Sequence, residues 1–317
     1  MQKISKYILI ILLTTNNPLL IGEEIIKTSS GIISGFETDK VMNWNDIPYA
    51  KPPVGDLRWK APQLIFKSNE KIISKEGNFC VQEPYDRGGA PGDEEVSGTE
   101  DCLYLDIQAP LLNSESKLPV MFWIHGGGNT SGLKDSYNFS KLVRKEEVIV
   151  VSINYRLGAF GWFTHPSIQG LQSGLDKSSN FGTLDIIAAL RWTQENIEKF
   201  GGDPNNVTIF GESAGGHNVL SLLVSKEAKG LFNKAISQSG YTTTYSIKEA
   251  YKPEDSSNTS DASSSEIFSR LLKSIEYPKS EDELDIEEQR KILKEIDAYK
   301  LFLLYQDDAV NSIPLIT

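Results

Sequence analysis

The sequence predicts an α/β protein with a mostly parallel central sheet and helices on both of its faces. Through the first 245 residues, glycine and proline divide the chain into short apolar runs that alternate with helical patterns. This alternation is typical of strands joined by crossover helices. Several runs are continuously apolar, as expected of strands that are covered on both faces. We predict strands at 103–107, 120–124, 148–153, 207–210 and 235–237.

The predicted helices lie between and after these strands. Segment 183–200 carries Leu184, Ile187 and Leu190 on one broad face and has no internal glycine or proline, so it is predicted to be a crossover helix. A Ser/Asn/Asp-rich stretch at 256–265 is predicted to be a solvated loop. Helical patterns follow at 267–275 and 286–305, and residues 312–317 look like the approach to another strand.

Composition and charge exclude some classes of function. The 317 residues are 39% hydrophobic and 24% charged, which suits one large domain, or part of one, over 23–317. The net charge is -11, with lysine and arginine scattered among acids. Because nucleic-acid affinity comes mainly from neutralising phosphates, no nucleic-acid partner is expected.

Residues 1–22 are predicted to be a signal peptide. Lys3 and Lys6 precede an apolar run at 8–13, and the acidic pair at 23–24 follows. The run is too short to span a bilayer, so no stable membrane span is expected. We expect a secreted or periplasmic protein; the alternative is that the run forms an apolar first strand.

The chain has two cysteines, Cys80 and Cys102. An even pair behind an export signal favours one disulfide, and two unpaired buried thiols are the alternative. Neither cysteine has metal-ligand spacing, and the three histidines are scattered. No metal is expected.

A serine lies where a predicted strand runs straight into a helical pattern. Strand 207–210 leads into Gly-Glu-Ser-Ala-Gly at 211–215, and the helical pattern follows at 216–224. This context is that of a nucleophile elbow, in which flanking glycines leave room for a strained backbone that exposes the hydroxyl. We predict Ser213 to be the catalytic nucleophile. A turn serine without function is the alternative, since the motif alone also arises by chance.

His-Gly-Gly-Gly at 125–128 directly follows the predicted strand 120–124. Attack of a serine on a carbonyl creates an oxyanion, and backbone N–H groups can hold it. The predicted donors are the N–H groups of Gly127, Gly128 and Ala214. A plain glycine-rich turn or a phosphate cradle is the alternative, although the Gly-Lys-Ser/Thr of a P-loop is absent. Together the two loops predict acyl transfer.

These motifs resemble those of the type-B carboxylesterase/cholinesterase family, which has the α/β-hydrolase fold. They occur in the family's order over residues 28–245. The segments that carry the resemblance are IPYAKPPVG at 47–55, LRW at 57–59, EDCLYLD at 100–106, WIHGGG at 123–128, NYRL at 154–157, GGDP at 201–204, FGESAGG at 210–216 and SQSG at 237–240.

The resemblance implies a carboxylic-ester substrate, no cofactor, a Cys80–Cys102 bridge, Ser213 as the nucleophile and the three predicted N–H groups as the oxyanion hole. It also implies supporting roles for Glu212 and Ser239. A solvated elbow residue and a strand-end hydroxyl, respectively, are the alternatives for these two.

The chain departs from the family pattern at two places. Cholinesterases carry a tryptophan between their first paired cysteines that binds quaternary ammonium, whereas segment 81–101 has none. A choline-specific enzyme is therefore not expected. The family often has an aromatic or apolar residue after the triple glycine, and here it is Asn129.

The sequence shows only part of a catalytic triad. A serine needs a histidine to take its proton and a carboxylate to orient that histidine, and in this fold both follow the serine along the chain. No histidine follows His217, and His125, His165 and His217 are each expected to be structural. We interpret the chain as the nucleophile half of a serine carboxylic-ester hydrolase, truncated before the last strands of the sheet. A catalytically silent, protein-binding relative is the alternative.

The 317-residue chain is expected to hydrolyse p-nitrophenyl acetate negligibly, because loss of the triad base removes on the order of 10⁶ in kcat. Release of p-nitrophenol by the purified chain measures this. Robust turnover that Ser213→Ala abolishes would contradict the expectation. Low solubility is also expected, because a sheet without its last strands exposes an apolar edge.

Overall fold

The structure, a computed structural model, describes residues 24–306 except 67, 74–77, 85–88, 93, 112–116 and 252–262. The predicted signal peptide at 1–22, the strand-like end at 312–317 and most of the predicted loop at 256–265 lie outside the described residues.

Strands build one large mixed sheet and a small hairpin. The large sheet has the order β3-β4-β5-β7-β6-β8-β9, and β1 and β2 pair separately. The strands are β1 (Ile25–Lys27), β2 (Ile32–Ser34), β3 (Phe36–Thr38), β4 (Val41–Pro48), β5 (Tyr104–Pro110), β6 (Leu118–Ile124), β7 (Ile149–Ile153), β8 (Gly202–Glu212) and β9 (Lys234–Gln238). Strands β7, β6, β8 and β9 are parallel, whereas β3, β4, β5 and β7 pair antiparallel.

The α-helices of the described residues lie between the later strands and after them. They are α1 (Ser140–Glu146), α2 (Gly158–Gly161), α3 (Pro166–Gln169), α4 (Phe181–Asn196), α5 (Ala214–Val224), α6 (Ile247–Tyr251), α7 (Ser264–Ser274), α8 (Ile286–Glu295) and α9 (Ala298–Gln306). In the described ranges, none combines the length and the apolar character needed to cross a bilayer.

Helices cover both faces of the parallel strands, because alternate residues along a strand point to opposite faces. Phe122 and its register partner Ile209 belong to a buried cluster that also contains Leu190 of α4. One residue further along, Trp123 and Phe210 belong to a second cluster, which includes residues of α1. The α/β fold predicted from the sequence is therefore confirmed.

Three details differ from the prediction. Strands β1 to β4 were not predicted, because β4 mixes buried polar residues such as Asn43 and Asp46 with its apolar ones and shows no alternation. Ser264 and Ser265 are buried in the first turn of α7, which Ser263 caps by accepting the Glu266 N–H, so they are not part of a solvated loop.

The helix predicted over 286–305 is two helices, α8 and α9. The chain leaves helical geometry at Ile296, whose ψ is 139°. Buried Arg58 supports this break, because its Nη1 donates to the main-chain oxygens of Leu293, Lys294 and Ile296. The carbonyls at the end of α8 are thus satisfied by a side chain rather than by a further helical turn.

The predicted bridge between Cys80 and Cys102 is confirmed, and both residues are buried in the cluster that lies against α4. It closes a loop with a sequence separation of 22 residues. Closing such a loop restricts the unfolded chain and stabilises the fold by about 3 kcal/mol.

Replacing both cysteines by serine is therefore expected to lower the free energy of unfolding by about 3 kcal/mol. Urea unfolding of the variant and of the non-reduced parent measures the difference. The parent under reducing conditions is the matched control, because it loses the bond but keeps the sulfur atoms. Equal unfolding midpoints for the oxidised and reduced parent would contradict the assignment.

Candidate active site

The two loops singled out in the sequence meet at one edge of the sheet. Strands β6 and β8 are parallel neighbours, and Ile124 at the end of β6 is in register with Gly211 near the end of β8. The loops that follow them therefore leave the sheet side by side. In open α/β sheets, this carboxyl edge is where ligands bind.

Ser213 stands between β8 and α5 in a conformation that few non-glycine residues adopt. Its φ is 56° and its ψ is -120°. Its N–H donates to the Gln238 oxygen over 2.9 Å, and its carbonyl accepts from the His217 N–H over 3.0 Å. The residue is half-buried. Such strained backbone costs on the order of 1–3 kcal/mol and persists only where the surroundings impose it.

Glycines make this turn sterically possible. A Cβ on Gly215 would lie 2.0 Å from the Ile124 oxygen and 2.8 Å from the His125 oxygen. A Cβ on Gly211 would lie 2.5 Å from the carbonyl carbon of Gly215. The start of α5 therefore packs directly on the end of β6, with no room for a side chain.

The triple-glycine loop, residues 125–129, contacts the turn at Ser213. A Cβ on Gly126 would lie 3.2 Å from the Cβ of Ser213. Gly127 and Gly128 have φ values of 99° and 63°. In the described part of the chain, the N–H groups of Gly127, Gly128 and Ala214 donate no backbone hydrogen bond. The structure thus places Gly126, at the start of the triple glycine, against Ser213, and Ala214 directly follows Ser213.

The predicted supporting residues lie at the rim. Glu212 is exposed, and its charge contributes, after burial, to raising the pKa of Tyr137. Ser239 is exposed and has a φ of 52°. The hydrogen bonds to the turn at Ser213 come instead from the two residues that precede Ser239.

Those predecessors, Ser237 and Gln238, were missed in the sequence. The Ser237 hydroxyl donates to the Gly216 oxygen over 2.9 Å, and the Gln238 oxygen accepts the Ser213 N–H. The sequence signal was the predicted strand at 235–237, because a strand parallel to β8 ends at the same edge of the sheet. The structure places Ser237 in register with Gly211.

None of the three histidines lies in hydrogen-bond contact with the Ser213 hydroxyl in the described structure. His217 is buried, and its ring packs edge-on against Tyr241 at 4.3 Å. His165 is also buried. Its Nδ1 lies 2.7 Å from the Ser167 hydroxyl, and its Nε2 lies 3.2 Å from Glu281. That set contains a serine, a histidine and a carboxylate, but Ser167 is fully buried and offers no access to a substrate.

His125 is held neutral by burial, which lowers its pKa to about 4. Its ring stacks on Tyr155 at 4.4 Å, and its Nδ1 lies 2.8 Å from the Gly126 oxygen. Since a carbonyl can only accept, Nδ1 carries the proton and Nε2 does not. Among the described residues, no group of His, Cys, Asp and Glu is arranged to hold a metal ion.

Gly215→Ala is expected to lower the free energy of unfolding by about 2 kcal/mol or more, because its methyl group would overlap the Ile124 carbonyl and backbone must move. Urea unfolding measures the change. Ser221→Ala is the matched control, since Ser221 lies half-buried in the same helix. Equal stabilities of Gly215→Ala and the parent would show that the turn is not tightly packed on β6.

Stability is expected to fall with acid through His125. Burial lowers its pKa from an ordinary value of 6.5 to about 4 in the folded protein, so folding favours the neutral ring. This contribution is fully present above pH 6.5 and is lost as the pH falls from 6.5 towards 4, by about 2 kcal/mol at pH 5. Urea unfolding of the parent and of His125→Asn at pH 7 and pH 5 checks this. An equal loss in both proteins would contradict it.

Comparisons with known proteins agree with the geometry. A model of the carboxylesterase family matches residues 22–308. The chain is 39% identical to the para-nitrobenzyl esterase of Bacillus subtilis over 289 residues, which cover 88% of this chain and 55% of that protein. It is 44% identical to carboxylesterase 1E of Rattus norvegicus over 223 residues, which cover 67% of this chain and 38% of that protein.

Solved structures give the same result. A thermophilic para-nitrobenzyl esterase superposes with a TM-score of 0.73 at 36% identity, covering 90% of this chain and 54% of the other. A carboxylesterase of Geobacillus stearothermophilus gives 0.72 at 32% identity, covering 92% and 56%. The chain spans about half the length of these relatives. It belongs to the carboxylesterase family and has the α/β-hydrolase fold.

Proposed function

We propose that this chain carries the nucleophile and the oxyanion hole of a serine carboxylic-ester hydrolase. One observation supports the proposal above the others. The half-buried Ser213 has a strained backbone and lies against Gly126, and within the described residues the next two N–H groups of the loop, at 127 and 128, donate no backbone hydrogen bond. Strain of this kind persists at sites where it serves function.

The proposed reaction is acyl transfer through Ser213. Its hydroxyl oxygen forms a bond to the ester carbonyl carbon, and the carbonyl electron pair moves onto the oxygen. The N–H groups of Gly127, Gly128 and Ala214 are the proposed donors to that oxyanion. Collapse of the intermediate breaks the bond to the alcohol, and water then releases the acid from the acyl-enzyme.

The serine proton needs an acceptor for this reaction to be fast. A histidine oriented by a carboxylate is the usual acceptor in this fold. None of the described histidines contacts the Ser213 hydroxyl, so none of them is proposed as the base. The contribution proposed for this chain is therefore the nucleophile and the oxyanion donors.

The proposed substrates are carboxylic esters, and choline esters are not expected among them. Relatives of this chain are named for different esters, among them a juvenile hormone esterase of Tribolium castaneum and a fumonisin B1 esterase of Sphingopyxis macrogoltabida. Segment 81–101 contains no tryptophan to hold a quaternary ammonium. These facts favour the ester class without selecting one ester.

Export is proposed as well. The basic and apolar start of the chain suits a signal peptide at 1–22. The bridge between Cys80 and Cys102 suits an oxidising compartment, since such bonds are rare in reducing ones. Secretion or a periplasmic location is therefore the proposed destination.

Labelling with a fluorophosphonate tests the proposed nucleophile. The experiment uses a protein that contains this chain and hydrolyses esters. Peptide mass spectrometry is expected to find the label on Ser213. Ser213→Ala is expected to abolish labelling and to lower kcat about 10⁶-fold, whereas Ser221→Ala, in the helix that follows Ser213, is expected to change neither. Hydrolysis that persists in Ser213→Ala, or a label on another serine, would exclude Ser213 as the nucleophile.

A further inference from the structure

Asn129, the residue directly after the triple glycine, lies at a junction of three buried polar side chains. It is fully buried and has a φ of 61°. Its Oδ1 accepts from the Asn218 Nδ2 over 2.9 Å and lies 3.3 Å from the Tyr155 hydroxyl. Asn218 and Tyr155 are also fully buried. One side chain thus contacts two different elements of the fold.

Each partner connects Asn129 to a different part of the site. Asn218 lies in α5, the helix that begins directly after Ser213. The Tyr155 hydroxyl donates to the His125 oxygen over 2.7 Å, and the Tyr155 ring stacks on His125. The junction therefore ties the last residue of the glycine loop to the serine helix and to the first residue of the same loop.

The main chain of Asn129 is fixed as well. Its carbonyl oxygen accepts the Gly158 N–H over 2.8 Å. Positive φ values are uncommon for residues other than glycine, and asparagine tolerates them better than most. A preference for positive φ alone would explain an asparagine at this position. It would not explain why the side chain is buried and hydrogen-bonded to Asn218 of α5.

Buried hydrogen bonds of this kind constrain geometry strongly. A buried polar group that loses its partner costs about 1–3 kcal/mol, so alternative positions of the loop are disfavoured. Oxyanion donors act only when they are aimed at the position of the developing charge. A small shift of Gly127 or Gly128 would therefore weaken catalysis.

We propose that Asn129 is a positioning residue: through Asn218 and Tyr155 its side chain holds the glycine loop in register with Ser213. This inference rests on the proposed function for its catalytic meaning, because the loop matters as an oxyanion hole only if Ser213 attacks esters. The positioning itself is a property of the folded chain.

Amide hydrogen exchange of the folded chain tests the positioning directly. Asn129→Gly keeps the freedom to adopt positive φ and removes the side chain, and Asn218→Ala removes the partner amide. In both variants the amides of 130–132, which are hydrogen-bonded, are expected to exchange about tenfold faster, while those of β7 stay unchanged because the fold is intact. Tyr155→Phe, which conserves volume, is expected to act in the same direction.

Asn138→Gly is the matched control. Asn138 is exposed; its Oδ1 accepts from the Ser140 N–H, and its Nδ2 donates to Asp39 over 3.4 Å. Its removal is expected to leave exchange in 130–132 within about twofold of the parent. Unchanged exchange in 130–132 for Asn129→Gly, Asn218→Ala and Tyr155→Phe would overturn the proposal.

Kinetics separate this inference from the proposed function. In a protein that contains this chain and hydrolyses esters, Asn129→Gly is expected to lower kcat for p-nitrophenyl acetate about tenfold and to leave KM within about twofold. The reason is that displaced N–H donors stabilise the transition state less, while substrate binding changes little. An unchanged kcat would overturn the inference while the esterase assignment stands. A Ser213→Ala variant with full activity would instead exclude the proposed function. Hydrogen exchange would still test whether Asn129 positions the loop.

Discussion

The strained backbone at Ser213 is the constraint on which the rest of this site depends. Its φ of 56° is imposed from two sides. On one side Gly215 packs against the carbonyl groups at the end of β6, at distances that exclude a side chain. On the other, the Gln238 oxygen at the end of β9 accepts the Ser213 N–H. The parallel strands β6, β8 and β9 thus act together to hold one turn, and that turn raises the serine hydroxyl at the carboxyl edge of the sheet.

A second, polar layer supports the loop that lies against the turn. The triple glycine needs to approach Ser213 closely, so it carries no side chains with which to hold itself in place. His125 and Asn129 on either side provide the contacts that the glycines lack, through the Tyr155 hydroxyl and the Asn218 amide. Burial lowers the pKa of His125 to about 4, so the imidazole that stacks on Tyr155 is uncharged at neutral pH. The Cys80–Cys102 disulfide stabilises the fold as a whole by restricting the unfolded chain.

The sequence predicted most of the parallel sheet because continuous apolar runs and glycine punctuation are local signals. The two loops could be placed together because parallel neighbouring strands end at the same edge. Strand β4 was not predicted, because its buried Asn43 and Asp46 are satisfied by partners that are distant in sequence and that no local pattern reveals. The Asn43 Oδ1 accepts from Gln108, and the Asp46 Oδ1 accepts from Asn78. The role of Asn129 was equally hidden. Its partners Tyr155 and Asn218 lie 26 and 89 residues away along the chain, so only the fold brings them together.

The most direct measurement of the strain at Ser213 compares the stability of Ser213→Gly with that of Ser213→Ala by urea unfolding. At an ordinary position glycine is the less stable choice by about 0.5–1 kcal/mol, because it loses more conformational freedom on folding. At a position held at positive φ the order reverses, because glycine relieves strain that alanine retains. We therefore expect Ser213→Gly to be the more stable variant, by about 1 kcal/mol or more. A glycine variant that is less stable than the alanine variant would show that the backbone at this serine is unstrained.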